Sequence, residues 1–89
     1  MISRNLPIIN ELGLHARAAT KLAALAGRYE SSIKTGVGHP LVDAKSIMSV
    51  MLLAAAQGTV LDLKVNGEGA QHAFDEVTQL VNNFFDEGE

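Results

Sequence analysis

Cysteine and tryptophan are both absent from these 89 residues, and aromatic side chains make up only 4% of them. Without thiols there is neither a disulfide framework nor a thiolate metal site, so the fold must stand on packing alone. With one Tyr and three Phe, that packing has to be aliphatic, drawn from the Leu, Ala, Val and Ile that dominate a 47% hydrophobic composition. A chain this short buries only about 60 to 65% of the surface its unfolded form exposes, which fits one domain spanning 1–89 with little stability to spare. Long apolar runs are missing too: the longest, Ile47 to Ala56, is interrupted by Ser49 and falls far short of a membrane span. The opening Met1-Ile2-Ser3-Arg4-Asn5 lacks the charged start and apolar stretch of a secretion signal. Positive charge is scarce, with seven Lys and Arg against ten Asp and Glu, for a formal net charge of -3. Neither nucleic acid nor membrane is expected as a partner, and the cytoplasm is the expected compartment.

What is present reads as alternating strands and helices. Ile2 to Ile9 predicts a strand, and Pro7, which has no N–H to give a neighbour, places it at a sheet edge. From about Ala16 to Arg28, Ala18, Ala19, Leu22, Leu25 and Ala26 recur at helical spacing, with Arg17, Lys21, Ala24 and Arg28 on the opposite side. Ser32 to Val37 predicts a second strand, Gly36, Gly38 and Pro40 a turn, and Leu41-Val42-Asp43 a short return strand. Ser46 is read as the N-cap of a second helix running from Ile47 to Gln57 and stopped by Gly58. The alternation in Thr59 to Val65 predicts a strand. A third helix carries Ala73, Phe74, Val77, Leu80, Val81, Phe84 and Phe85 and frays into Asp86-Glu87-Gly88-Glu89. The order β-α-β-β-α-β-α suits an α+β domain with helices on one face of an antiparallel sheet.

The chemistry concentrates at Gly13-Leu14-His15-Ala16-Arg17-Ala18-Ala19. A helix start leaves backbone N–H groups without intrahelical partners and carries partial positive charge. No Ser, Thr, Asp or Asn stands just ahead of it to satisfy those donors, which are therefore expected to be free for an anion. Ala16 contributes one such backbone donor, Arg17 a fixed cation able to hold two oxygens at once, and the neutral imidazole of His15 a nucleophile. A lone histidine in such a place is ordinarily a solvent-exposed turn residue, and it is the surrounding pattern that lifts His15 and Arg17 above that reading. His39 and His72 have no second ligand at metal spacing and are read as plain surface residues, so no metal site is expected. No cofactor is expected either, and a self-contained enzyme is disfavoured because no general base is paired to a substrate pocket.

The segment from Gly13 to Ala19 resembles the active-site signature of the histidine-containing phosphocarrier (HPr) family of the phosphotransferase system. A second stretch, Asp43 to Met51 with Gln57-Gly58-Thr59 behind it, is similar to the family's regulatory-serine region and lies at the family's usual distance from the histidine. The resemblance covers essentially the whole chain. It implies an open-faced β-sandwich of four antiparallel strands with three helices on one face. It implies that His15 takes a phosphoryl group on a ring nitrogen, Nδ1, from phosphorylated enzyme I, with phosphoenolpyruvate as ultimate donor, and gives it to an enzyme IIA. It also places Ala16, Arg17, Thr20, Ala24, Ile47, Met48, Met51 and Leu52 on the surface where partners dock, with the carrier a monomer. The second helix is apolar nearly all round, so some of its side chains are expected to face solvent, although Met48, Met51 and Leu52 are more often core at such positions. In some members the serine matching Ser46 is phosphorylated by a kinase; here Ser46 is read as a cap, and no such kinase is expected.

Departures from the family pattern narrow the branch. Ala18 stands where the family usually has proline after the arginine, and Ala24, Gly27 and Ser49 stand where sugar-transport carriers commonly show docking lysines. Together with the ending Phe84-Phe85-Asp86-Glu87, this resembles the nitrogen-related branch (NPr), which feeds an enzyme IIA of the nitrogen system. The alternatives are a sugar-transport carrier and an HPr-like regulatory binding module; retention of His15 speaks against the latter as the sole role.

Overall fold

A computed structural model describes residues 2–10, 12–38, 40–83 and 85. The expectations that fell on His39, Phe84, Asp86, Glu87 and the rest of 86–89 lie outside the described residues. The elements are β1 (Ile2–Pro7), α1 (Ala16–Ala26), β2 (Ser32–Gly36), β3 (Val42–Asp43), α2 (Ile47–Leu52), β4 (Val60–Asn66) and α3 (Ala70–Asn82). They follow the order read from the sequence.

The four strands form one antiparallel sheet in the spatial order β1-β4-β2-β3. β1 pairs only with β4 and is an edge, as Pro7 requires. Period-two alternation sets the register: Leu61, Leu63 and Val65 of β4 are buried, and opposite them stand Leu6 of β1 and Ile33 and Thr35 of β2. The reverse face carries Ser3, Lys64, Lys34 and Asp43 in one cross-strand row and is solvated. Thr35, the polar exception in the core, donates its hydroxyl to the Asp62 carbonyl at 2.8 Å, which meets the cost of burying it.

The helices close the apolar face. α3 packs on β1 and β4 and also meets α1, while α1 lies against α2. α1 buries Ala18, Ala19, Leu22, Ala23 and Ala26, mostly small side chains, which suits close approach of helix backbone to the layer beneath. Lys21, Ala24 and Arg28 share a cleft of about 630 Å³ between α1 and α3 with Glu76, Gln79 and Asn82. α3 ends at Asn82, and Phe85 beyond it is fully buried at φ 52 with its carbonyl held by Lys21 Nζ at 3.0 Å.

α2 is shorter than its sequence predicts. It stops at Leu52 rather than Gln57, Leu53 and Ala54 close turns back to Val50 and Met51, and Ala54 takes φ 51. Its beginning matches expectation: the Ser46 side chain accepts a hydrogen bond from Ser49 N at 3.3 Å and caps the helix. Ser46→Ala is therefore expected to destabilise the protein by about 1 kcal/mol in urea unfolding, whereas Ser46→Asp, which keeps a side-chain acceptor, should restore most of the loss.

Candidate functional site

The site is built from the loop that joins β1 to α1. Past Pro7 the chain keeps pairing with the approach to β4, through Ile8 N to Thr59 O and Gly58 N to Ile8 O, both 2.8 Å. Asn10 then turns the chain from a fully buried position, its Nδ2 donating to Gly13 O at 2.9 Å and its carbonyl accepting from Gly13 N at 3.3 Å. Gly13 has φ 67 and lies so close to the segment after α2 that a Cβ there would stand 2.4 Å from Ala55 O. The next residue, Leu14, is buried and donates its N–H to the same Ala55 carbonyl at 2.8 Å. The early end of α2 thus has a use: it frees that carbonyl to hold the loop carrying His15.

His15 is half-buried, in extended backbone (φ -73, ψ 177), at the N-cap of α1. Its Nδ1 accepts a hydrogen bond from Arg17 N at 3.2 Å, and its carbonyl accepts from Ala19 N at 2.9 Å. This corrects the expectation that the first helical donors stand free: the imidazole itself caps the helix and engages one of them. The geometry assigns the tautomer. A ring nitrogen that accepts from an N–H carries a lone pair, so in the neutral ring the proton sits on Nε2. Ala16, Arg17, Thr20 and Ala24 are all exposed on the same helix. Thr20 donates its hydroxyl to Ala16 O at 2.8 Å. No acidic residue occupies the first turn of α1, so the positive helix end is not offset from within that turn.

α2 turns outward what a core helix would bury. Ile47, Met48, Met51 and Leu52 are exposed, Leu52 by 79%, and Val50 alone is buried. His72 is exposed on α3, where Nε2 lies 3.4 Å from Glu76 Oε1 and the ring meets Tyr29 edge-on. No group of three metal-ligating side chains occurs among the described residues, and none of their helices is long and apolar enough to cross a membrane. Residue-by-residue reading missed Asn10 and Ala55, whose contributions are a buried amide and a backbone carbonyl with no sequence signature.

The family model described as "PTS HPr component phosphorylation site" matches residues 2–83. The phosphocarrier protein HPr of Pseudomonas putida is 51% identical, covering all of both chains. The phosphocarrier protein NPr of Shewanella violacea is 38% identical over 97% of this chain and 94% of its own. Among solved structures, an HPr of Thermoanaerobacter tengcongensis superposes with a TM-score of 0.92 at 33% identity, with 98% of each chain covered. On this evidence of sequence, fold and the histidine-bearing loop, the chain belongs to the HPr family, the phosphocarriers of the phosphotransferase system.

Proposed function

We propose that His15 accepts a phosphoryl group on Nδ1 from phosphorylated enzyme I and hands it to an enzyme IIA. The observation that carries this reading is the hydrogen bond from Arg17 N to His15 Nδ1, which turns that nitrogen's lone pair toward the positive end of α1. In the transfer, a bond forms between Nδ1 and phosphorus as the donor's own bond to phosphorus breaks, and Nε2 keeps its proton. The Arg17 N–H then loses the nitrogen as acceptor and gains a phosphoryl oxygen lying just beyond it. The Ala16 N–H and the Arg17 guanidinium complete the anion's surroundings. Each helix-end contribution is modest, about 0.3 to 1 kcal/mol at an exposed site. A carrier needs no more, because a phosphoryl group held tightly would not be passed on. His15 is half-exposed at the start of α1 and does not line the α1–α3 cleft, so two large partners in turn can reach the same ring. That use requires only one copy of the chain, and we read the working form as a cytoplasmic monomer.

The partner pair we propose is the nitrogen-type enzyme I and enzyme IIA. Relatives of higher identity carry the family-wide name HPr, so support for the branch comes from the docking face. Ala24 and Gly27 are exposed and Ser49 half-buried at positions where sugar-transport carriers commonly show lysine. Charging rates from phosphoenolpyruvate with each type of enzyme I, at equal concentrations, test the assignment. The nitrogen-type donor is expected to charge the protein faster; faster charging by the sugar-type donor overturns the branch and leaves the carrier role intact.

A further inference from the structure

We infer that Asn10 is a positioning residue for the transfer: from a buried place behind the loop, its amide holds His15 in the orientation that leaves Nδ1 as the nucleophile. The inference rests on the phosphocarrier reading. Asn10 is 0% exposed, so no partner and no phosphoryl group reaches it. What it touches is the peptide that leads into His15. Asn10 Nδ2 donates to Gly13 O at 2.9 Å, and the N–H of that same peptide, Leu14 N, donates to Ala55 O at 2.8 Å. The Gly13–Leu14 peptide is thereby held at both of its polar ends and cannot rotate without breaking a bond. On the other side, the His15 carbonyl accepts from Ala19 N at 2.9 Å. The backbone that carries the imidazole is fixed before it and after it.

A second property of the same side chain favours a role beyond closing a turn. The turn already has a backbone bond, from Gly13 N to Asn10 O. Aiming Nδ2 at Gly13 O leaves Asn10 Oδ1 buried with no hydrogen-bond partner among the described residues, and the flipped amide would set Oδ1 against the Gly13 carbonyl instead. A buried acceptor without a donor lowers stability, so its retention calls for a compensating use. The use is the extended backbone of His15 (φ -73, ψ 177), from which the ring turns back and Nδ1 accepts from Arg17 N. While that bond holds, the proton of the neutral ring stays on Nε2. If the Gly13–Leu14 peptide swings, His15 shifts, the bond to Arg17 N weakens and the ring is released. The Nδ1–H tautomer, whose lone pair is on the wrong nitrogen, then gains population.

Nitrogen-15 spectra of the His15 ring in alkaline solution, where imidazole is neutral, read the tautomer without any partner present. The Nε2–H form is expected to dominate in the wild type, and in Asn10→Ala the Nδ1–H share should rise about twofold or more. The folded form is read separately from any unfolded fraction, so lost stability does not mask the result. Asn10→Ser, which keeps a shorter donor, should show a smaller change in the same direction and replaces Asn10→Ala if that variant does not fold. Charging of Asn10→Ala by phospho-enzyme I should fall about tenfold in kcat at unchanged KM, as for a displaced nucleophile on an intact docking face. The control is Thr35→Val, which removes another fully buried hydrogen-bonding group, from β2; it should lose stability yet keep the wild-type tautomer and kcat. A wild-type tautomer ratio in Asn10→Ala overturns the inference, as does an equal shift in Thr35→Val or a loss confined to KM. Failure of the wild type to take a phosphoryl group on His15 contradicts the carrier reading instead, and the ring spectra still decide whether Asn10 orients the imidazole.

Discussion

His15→Ala is expected to abolish labelling from phosphoenolpyruvate and enzyme I, down to the background of the assay. The acid-labile, alkali-stable phosphate that marks a phosphohistidine should be gone entirely, because among the described residues no second histidine stands at a helix start near Arg17: His72 sits on α3 beside Glu76. The substitution also removes the cap of α1, which accepts from Arg17 N, so a loss of about 0.5 to 2 kcal/mol in stability is expected alongside. A variant that keeps the cap separates the two effects. Asn is a strong N-cap residue whose amide oxygen can take the same N–H but cannot act as a nucleophile. His15→Asn should therefore be more stable than His15→Ala in urea and equally dead in labelling. Labelling that persists in either variant places the phosphoryl group elsewhere.

Gly13→Ala is expected to be the most damaging of the conservative changes near the site. The added Cβ would stand 2.4 Å from Ala55 O and 2.9 Å from Ala56 Cα, both backbone atoms, at a φ of 67 that an L side chain rarely adopts. The loop can relieve the clash only by withdrawing from the segment after α2, and that withdrawal breaks the bond from Leu14 N to Ala55 O. We expect a destabilisation of about 2 to 4 kcal/mol, seen as a fall of about 10 to 20 °C in melting temperature for a domain of this size. Slower charging of the fraction that stays folded is expected too, since the loop positions His15. Gly38→Ala is the matched control: its φ is 81, but nothing lies within 4 Å of the added atom, so only the backbone cost of about 1 kcal/mol applies. If Gly13→Ala melts no lower than Gly38→Ala, the close approach to Ala55 does not hold the loop.

The sequence discloses most where a local rule coincides with the tertiary demand. Pro7 lacks a donor and lies on the edge strand β1; Leu61, Leu63 and Val65 alternate with Asp62 and Lys64 and lie inward in the central β4. Ser46 is a favoured cap and caps. Where the two part, local reading fails in a specific direction. Ala54 to Gln57 are good helix formers and invite an α2 that runs to Gln57, yet the fold ends it at Leu52 and sends Ala54 to φ 51. The reason lies 40 residues away, in the Leu14 N–H that needs the Ala55 carbonyl, and nothing in the local composition announces it. The cap of α1 is not legible in the sequence because imidazole is not among the common capping side chains, yet His15 itself is the cap. His15 and Arg17 are legible as a site because reactivity, charge and helix start coincide within a few residues. Asn10 is not, since a buried turn amide acquires meaning only once Gly13 is seen against Ala55.

At the centre of the account is one nitrogen atom, His15 Nδ1, turned toward the start of α1 and poised to carry phosphorus. Nitrogen-15 labelling of the histidines, followed by phosphorus NMR of protein charged through enzyme I, reads the attachment directly from the coupling between the two nuclei. The account predicts a single phosphoryl resonance coupled to His15 Nδ1, together with movement of the Arg17 amide signal as its N–H changes acceptor. Coupling to Nε2, to another histidine, or to no ring nitrogen would contradict it.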